Sequence, residues 1–147
     1  MKMKRQVVLA VGLLLLVVVL AACGASQKSD VSSDTTSAKN ADGYTDISVD
    51  QLAQMLENKD FTLVNVHIPY EGEIPGTDVF VPFNAVEQNL DKLPQDKSAP
   101  IVLYCRSGSM STIAAKKLVS LGYTNVYEVD GGFNAWKASG RDLVFKQ

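Results

Sequence analysis

The sequence has 147 residues, enough for one folded domain and some additional chain. Its 14 Lys and Arg residues and 16 Asp and Glu residues give a formal net charge of -2. Without Lys2, Lys4 and Arg5 at the start of the chain the basic count falls from 14 to 11, and the net charge would be near -5. The remaining Lys and Arg residues form no stripe, so we expect no nucleic-acid partner.

Residues 1–22 have the features of a secretory signal. The three basic residues precede an apolar run from Val7 to Leu20, which is short for a bilayer span. The run leads into Leu20-Ala21-Ala22-Cys23, which resembles the lipobox of bacterial lipoproteins. That resemblance implies cleavage before Cys23 and lipid attachment to its sulfur, which would anchor the protein to a bacterial membrane. The alternative is an uncleaved single-span anchor, and both interpretations place the domain outside the cytoplasm.

Residues 23–43 are interpreted as the lipidated cysteine and a flexible tether. From Gly24 to Gly43 the chain is rich in Ser, Asp, Thr, Lys, Ala and Asn, and Val31 is its only large aliphatic residue. This composition disfavours a folded extension, and twenty such residues have a root-mean-square reach of roughly 25 Å. The folded domain is therefore expected over residues 44–147.

The first half of this domain alternates predicted strands and helices. Ser48 and Gln51 have the spacing of a capping box, which predicts that a helix begins at Val49. The other elements predicted here are strands over 44–47, 61–66 and 79–81, a loop over 68–78 and a helix over 84–93.

The second half continues the alternation. A strand over 101–104 is too continuously apolar to be half exposed. A helix over 112–121 is closed by Gly122, a strand follows over 125–129, and a short last helix begins near Gly131 and ends at Gly140. This order predicts an α/β fold with a central parallel sheet and helices on both faces. Ligands of such sheets bind at the carboxyl ends of the strands, which is where Cys105 lies.

Cys105 opens the segment Cys-Arg-Ser-Gly-Ser-Met-Ser between the central strand and a helix. That position aims several backbone N–H groups and the positive end of the helix dipole at the sulfur, so the thiol should lose its proton easily. Gly108 can adopt the positive φ that a tight loop requires. If Cys23 carries lipid, Cys105 has no disulfide partner in the chain, which indicates a reactive thiol in an exported protein. The alternative is a buried structural cysteine beside an ordinary helix cap.

Two further segments complete a resemblance. Val129 to Trp136 reads Val-Asp-Gly-Gly-Phe-Asn-Ala-Trp, and residues 74–77 read Ile-Pro-Gly-Thr. Together with the cysteine loop they make residues 44–147 similar to a single rhodanese domain. The resemblance implies a sulfurtransferase: Cys105 takes a sulfane sulfur from a small donor, holds it as a persulfide, and passes it to a thiol or other nucleophile, which a protein could also supply.

The same resemblance assigns roles to the loop. Cys105 is the implied catalytic residue, and neither a cofactor nor a metal is implied. Arg106 is the only fixed cation of the loop and is expected to attract an anionic donor, or else to form a surface salt bridge. The implied substrate-binding residues are Arg106, Ser107, Gly108, Ser109, Met110 and Ser111.

Three positions depart from the family pattern. Asn65-Val66-His67 stands where the family usually has Asp-x-Arg, so a buried hydrogen bond is expected instead of an ion pair; His67 is expected to be structural more than a catalytic base. Ser107 and Met110 replace residues that are often cationic, which weakens the attraction for a doubly charged donor such as thiosulfate. The residues expected to serve core packing or backbone geometry are Tyr104, Gly131, Gly132, Phe133 and Trp136.

Other classes of function use similar parts. A Cys-dependent phosphatase or arsenate reductase needs an arginine six positions after the cysteine, and Ser111 stands there. A rhodanese module used only for persulfide carriage or protein docking at the cell surface remains the principal alternative. A redox role through mixed disulfides of an exposed Cys105 would lack a second cysteine to resolve them.

Overall fold

The computed structural model describes residues 37–146. The predicted signal over 1–22, Cys23 and most of the predicted tether lie outside these residues. Within them, every helix is too short or too polar to cross a membrane.

A five-stranded parallel sheet forms the centre of the fold. Its spatial order is β1-β5-β4-β2-β3, and all four strand pairings are parallel. This confirms the predicted α/β fold, with β4 in the middle of the sheet and buried along its whole length. The elements are β1 (Thr45–Ile47), α1 (Val49–Glu57), β2 (Thr62–Asn65), β3 (Val79–Phe80), β4 (Ile101–Tyr104), α2 (Ser109–Ser120), β5 (Val126–Val129) and α3 (Gly132–Ala138).

Two hydrophobic cores cover the two faces of the sheet, because successive side chains of a strand point in opposite directions. Leu103 and Cys105 belong to the core that contains Leu118 of α2. Val102 and Tyr104 belong to the other core. The latter also contains Leu52 of α1 and two aromatic residues of α3, Phe133 and Trp136, which confirms their predicted packing role.

The local predictions are confirmed in part. The capping box of Ser48 and Gln51 is present, and Gly122 follows α2 with φ +92°. The helix predicted over 84–93 is wrong: two 3₁₀ helices, Phe83–Ala85 and Glu87–Lys92, stand in its place. Asn89 has a non-helical backbone (φ -124°), and its side-chain amide donates to the Ala85 carbonyl at 2.7 Å. Such a side-chain hydrogen bond competes with the helical pattern.

Candidate functional site

The sulfur of Cys105 lies at the carboxyl end of β4, on the face of the sheet that α2 covers. The Gly108 N–H donates to Sγ at 3.1 Å, and the Ser111 hydroxyl lies 3.4 Å from Sγ. Among residues 37–146 these are the two groups that can donate a hydrogen bond to the sulfur, one amide and one hydroxyl, where the sequence led us to expect several amides. Cys105 is only 1% exposed, so the exposed thiol that the redox alternative assumed is not found.

Gly108 makes this arrangement sterically feasible. Its φ of +100° turns the chain so that its own N–H points back at Sγ while its carbonyl accepts from the Thr112 N–H at 2.9 Å. A residue with a Cβ would be strained in this left-handed conformation. Helix α2 therefore begins at Ser109, three residues before the predicted start at Thr112, and Ser111 lies inside its first turn.

The start of α3 fixes the backbone of the cysteine loop from the opposite side. The N–H of Phe133 donates to the Cys105 carbonyl at 2.9 Å, and the N–H of Asn134 donates to the Arg106 carbonyl at 3.0 Å. A Cβ on Gly132 would lie 2.1 Å from the Cys105 carbonyl oxygen. The backbone role expected for the glycines of the Asp-Gly-Gly segment is thus confirmed. Gly132 is the glycine of this segment that lies against the backbone of the cysteine loop.

A buried carboxyl group that sequence reasoning missed completes the inner side of the site. Glu128 of β5 is 2% exposed, and the Ser111 hydroxyl donates to its Oε1 at 2.5 Å. Burial raises the pKa of Glu128 from 4.5 to about 7; the hydrogen bond from Ser111 lowers it, and the charges of Asp130 and Asp46 raise it. An acidic residue inside a short apolar strand was the signal available in the sequence.

The exposed side of the loop carries an ion pair between Arg106 and Glu71. Arg106 has a 54% exposed side chain, and its Nη1 lies 3.4 Å from Oε1 of Glu71. The other oxygen of Glu71 lies 3.6 Å from Nε2 of His67. His67 is buried edge-on against Phe133, with ring centroids 5.3 Å apart, and neither ring nitrogen has a hydrogen-bond partner. Arg106 thus forms the salt bridge that was considered as the alternative to donor attraction, and its partner is a residue that the sequence did not single out.

The remaining predicted residues have varied environments. Asn65 donates to the Gly72 carbonyl at 3.1 Å and accepts from the His67 N–H at 3.0 Å, which confirms the expected buried hydrogen bonds. Ser107 and Ser109 are exposed, whereas Met110 packs against the core that contains Cys105.

One acidic cluster lies next to the site. Carboxyl oxygens of Asp46, Glu128 and Asp130 come within 4.8 Å of one another. Glu128 is already held by Ser111, and such clusters are common without an ion, so the cluster by itself does not indicate a metal centre.

Comparisons with known proteins identify the family of the described domain. Residues 48–139 match the model of the Rhodanese-like domain. A protein of Pseudoalteromonas translucida named thiosulfate sulfurtransferase GlpE is 33% identical over 101 residues, covering 67% of this chain and 93% of the relative. The protein of the same name from Shewanella oneidensis is 36% identical over 95 residues, covering 61% and 89%. A rhodanese-like domain protein of Staphylococcus aureus has a similar structure, with a TM-score of 0.59 and 27% identity, covering 69% and 98%.

Proposed function

Because this chain belongs to the rhodanese-like domain family, we propose that it transfers sulfane sulfur through a persulfide on Cys105. The family and the sulfurtransferase names of its relatives support sulfurtransferase activity in general. The observation that carries the persulfide proposal is the pair of groups that can donate to Sγ, the Gly108 amide and the Ser111 hydroxyl. Both stabilise a negative charge on sulfur, which the thiolate and the persulfide share.

The proposed reaction has two balanced steps. The Cys105 thiolate attacks the outer sulfur of a donor such as thiosulfate; a new S–S bond forms, the old S–S bond breaks, and sulfite leaves with the bonding electron pair. An acceptor thiolate then attacks the terminal sulfur of the Cys105 persulfide, which releases the Cys105 thiolate and gives the acceptor persulfide. The enzyme thus returns to its starting state.

Access to the sulfur sets a condition on this reaction. Cys105 is 1% exposed, whereas Arg106, Ser107 and Ser109 above it are exposed. A donor must therefore displace part of this loop before its sulfur can reach Sγ. We expect the loop to open on the outer side, because on the inner side its backbone is hydrogen-bonded to the start of α3.

The electrostatics of the loop favour a donor with little negative charge. Glu71 lies against Arg106 and compensates the one cation of the loop. A thiosulfate dianion therefore meets a weaker positive potential than an unpaired arginine would provide. We propose that thiosulfate is accepted and that less charged donors, such as organic persulfides, are preferred.

The proposal is tested by intact mass spectrometry of the full chain, purified in detergent. After exposure to thiosulfate or polysulfide, we expect Cys105 to gain the mass of one sulfur atom and to lose it to an added thiol. Cys105→Ser should abolish both the gain and the transfer while the protein stays folded by circular dichroism. The absence of a sulfur adduct with every sulfane donor would refute the proposal.

A non-enzymatic carrier or docking module is the second candidate, and the burial of Cys105 favours it. A partner would load a carrier with one sulfur atom. The carrier would release that sulfur once and would then have to be loaded again. A turnover assay with excess donor and thiol separates the two candidates, because only an enzyme produces more acceptor persulfide than there is protein.

We further propose that the protein is a lipoprotein on the outer face of a bacterial membrane. The support is the order of basic residues, apolar run, small residues and Cys23 at the start of the sequence. Cys23→Ala should block processing or release the protein from the membrane fraction. Unchanged processing and fractionation of this variant would contradict lipidation.

A further inference from the structure

We propose that Glu128 is a positioning residue for Cys105: through the Ser111 hydroxyl it exchanges a proton with the thiol, so that thiolate and carboxylic acid form together. This inference deepens the proposed function, which gives the thiolate its purpose. The proton exchange itself can be measured without any sulfur transfer.

The three groups form a continuous buried chain. Sγ of Cys105 lies 3.4 Å from Oγ of Ser111, and the same Oγ lies 2.5 Å from Oε1 of Glu128. Cys105, Ser111 and Glu128 are 1%, 0% and 2% exposed, so all three groups are shielded from bulk water. The register of the sheet brings these groups together. Glu128 of β5 lies opposite Leu103 of β4. Leu103 is two residues before Cys105, so both residues point to the same face of the sheet.

The single proton of the Ser111 hydroxyl forces a choice. The hydroxyl lies within hydrogen-bond distance of Sγ, of the Glu128 carboxyl and of the Gly108 carbonyl at 3.1 Å. It can donate its one proton to only one of these acceptors at a time. The protonation state of Glu128 therefore decides whether the Ser111 proton is directed at the sulfur.

Two states follow from this choice. In the first, Cys105 is a thiol that donates to Ser111, and Ser111 donates to the Glu128 carboxylate. In the second, Cys105 is a thiolate that accepts from Ser111, and the Glu128 carboxylic acid donates to Ser111. Conversion breaks the S–H bond and forms an O–H bond on Glu128, while Ser111 gives up its own proton and takes that of the thiol. The net charge does not change.

The surroundings favour a single negative charge on this pair. The other titratable groups that face Glu128 are Asp46 of β1, paired with it in register, and Asp130 just beyond β5. Both are acidic, and together with burial they raise the pKa of Glu128 to about 7. A thiolate added beside an ionised Glu128 would meet like charge at low dielectric, so the two groups should titrate as a coupled pair.

The test is the rate at which iodoacetamide alkylates Cys105 of the full chain at different pH values, read by peptide mass spectrometry. In the wild-type protein we expect the rate to rise in two stages, separated by about one pH unit or more. Glu128→Gln keeps the shape and can donate to Ser111, so it should give one stage and a rate near pH 7 that is about threefold or more higher. Asp130→Asn is the matched control. It removes a neighbouring carboxylate that is not hydrogen-bonded to Ser111 or Cys105, so both stages of the alkylation rate should remain.

A double-mutant cycle separates the relay from a simple charge effect. In a Ser111→Ala background, Glu128→Gln should change the alkylation rate by a smaller factor than in the wild type, because the connecting hydroxyl is absent and only the repulsion between like charges remains. An unchanged effect of Glu128→Gln in that background would overturn the relay, and so would a single stage in the wild-type protein.

A second measurement keeps the inference testable if Glu128→Gln does not fold. The infrared band of the Glu128 carboxylic acid should vanish at a lower pH in Cys105→Ser than in the wild type, because a neutral hydroxyl replaces the group that competes for the proton. An unshifted band would count against the coupling. Sulfur loading of Cys105 is measured separately. Two-stage alkylation without sulfur loading would refute the proposed function alone. Sulfur loading with one-stage alkylation would refute only the proton relay.

Discussion

The cysteine loop has two flanks with a glutamate on each, and they differ in exposure. The outer flank consists of the exposed ion pair of Glu71 and Arg106, with the buried His67 beneath it. The inner flank consists of Ser111, Glu128 and Gly132, and all three residues are buried. An exposed ion pair is typically worth at most about 1 kcal/mol, whereas burial moves the pKa of Glu128 to about 7. We therefore expect Glu71 to adjust the attraction of a charged donor on the outer flank, and Glu128 to adjust the charge of the sulfur site on the inner flank.

The largest expected effect comes from the inner flank, at Gly132. Gly132→Ala would place a Cβ 2.1 Å from the carbonyl oxygen of Cys105, and neither backbone can yield without moving the loop. We expect a loss of roughly 3 kcal/mol or more in the free energy of unfolding. Urea denaturation followed by circular dichroism measures this loss.

Gly140→Ala is the matched control for that substitution. Gly140 also has a positive φ, +83°, but a Cβ there would meet no atom within 4 Å. Gly140→Ala should lower the free energy of unfolding by only about 1 kcal/mol, because it introduces backbone strain in the left-handed conformation and no steric clash. Equal losses in the two variants would show that the contact between Gly132 and the cysteine loop is unimportant for stability.

The second prediction concerns pH and Glu128. Because its pKa is raised from 4.5 to about 7, the folded state binds more protons than the unfolded state between these values. The free energy of unfolding should therefore fall as the pH rises from about 4.5 to about 7, by an amount on the order of 3 kcal/mol. Denaturation at a series of pH values measures the slope.

Glu128→Gln isolates this contribution, because an amide does not titrate. The slope between about pH 5 and pH 7 should become flatter in the variant, and its stability should exceed that of the wild type above pH 7. The same slope in both proteins would mean that Glu128 titrates normally and that the inner flank does not constrain its charge.

The two flanks also differ in how far the sequence predicts them. Cys105 and Gly132 were found from local patterns, because a strand, a loop and a helix start follow one another along the chain. Glu128 was not, because its proximity to Ser111 depends on the parallel pairing of β5 with β4, which brings together residues 17 positions apart. The 3₁₀ helices were missed for a local reason, the side-chain hydrogen bond of Asn89, which an apolar periodicity does not reveal.

The smallest expected effect lies on the outer flank, at Glu71. Glu71→Gln removes the carboxylate that compensates Arg106, so the loop should attract an anionic donor more strongly. We expect the KM for thiosulfate to fall about two- to fivefold, in line with the modest energy of an exposed ion pair. Added salt should reduce this gain, because exposed charges are screened. Steady-state sulfur transfer at low and moderate ionic strength measures both effects.

Glu87→Gln provides the control for this last prediction. Glu87 forms an exposed ion pair with Lys117 at 3.4 Å, the same distance as the pair of Glu71 and Arg106, and neither residue belongs to the cysteine loop. Its KM for thiosulfate should stay unchanged, since a charge must lie beside the entrance to affect the approach of the donor. The KM for a singly charged organic persulfide should fall less in Glu71→Gln than the KM for the thiosulfate dianion, because the effect of a charge scales with the charge of the donor. An equal fall for both donors would mean that Glu71 restricts loop opening, and the two flanks would then differ in mechanics rather than in charge.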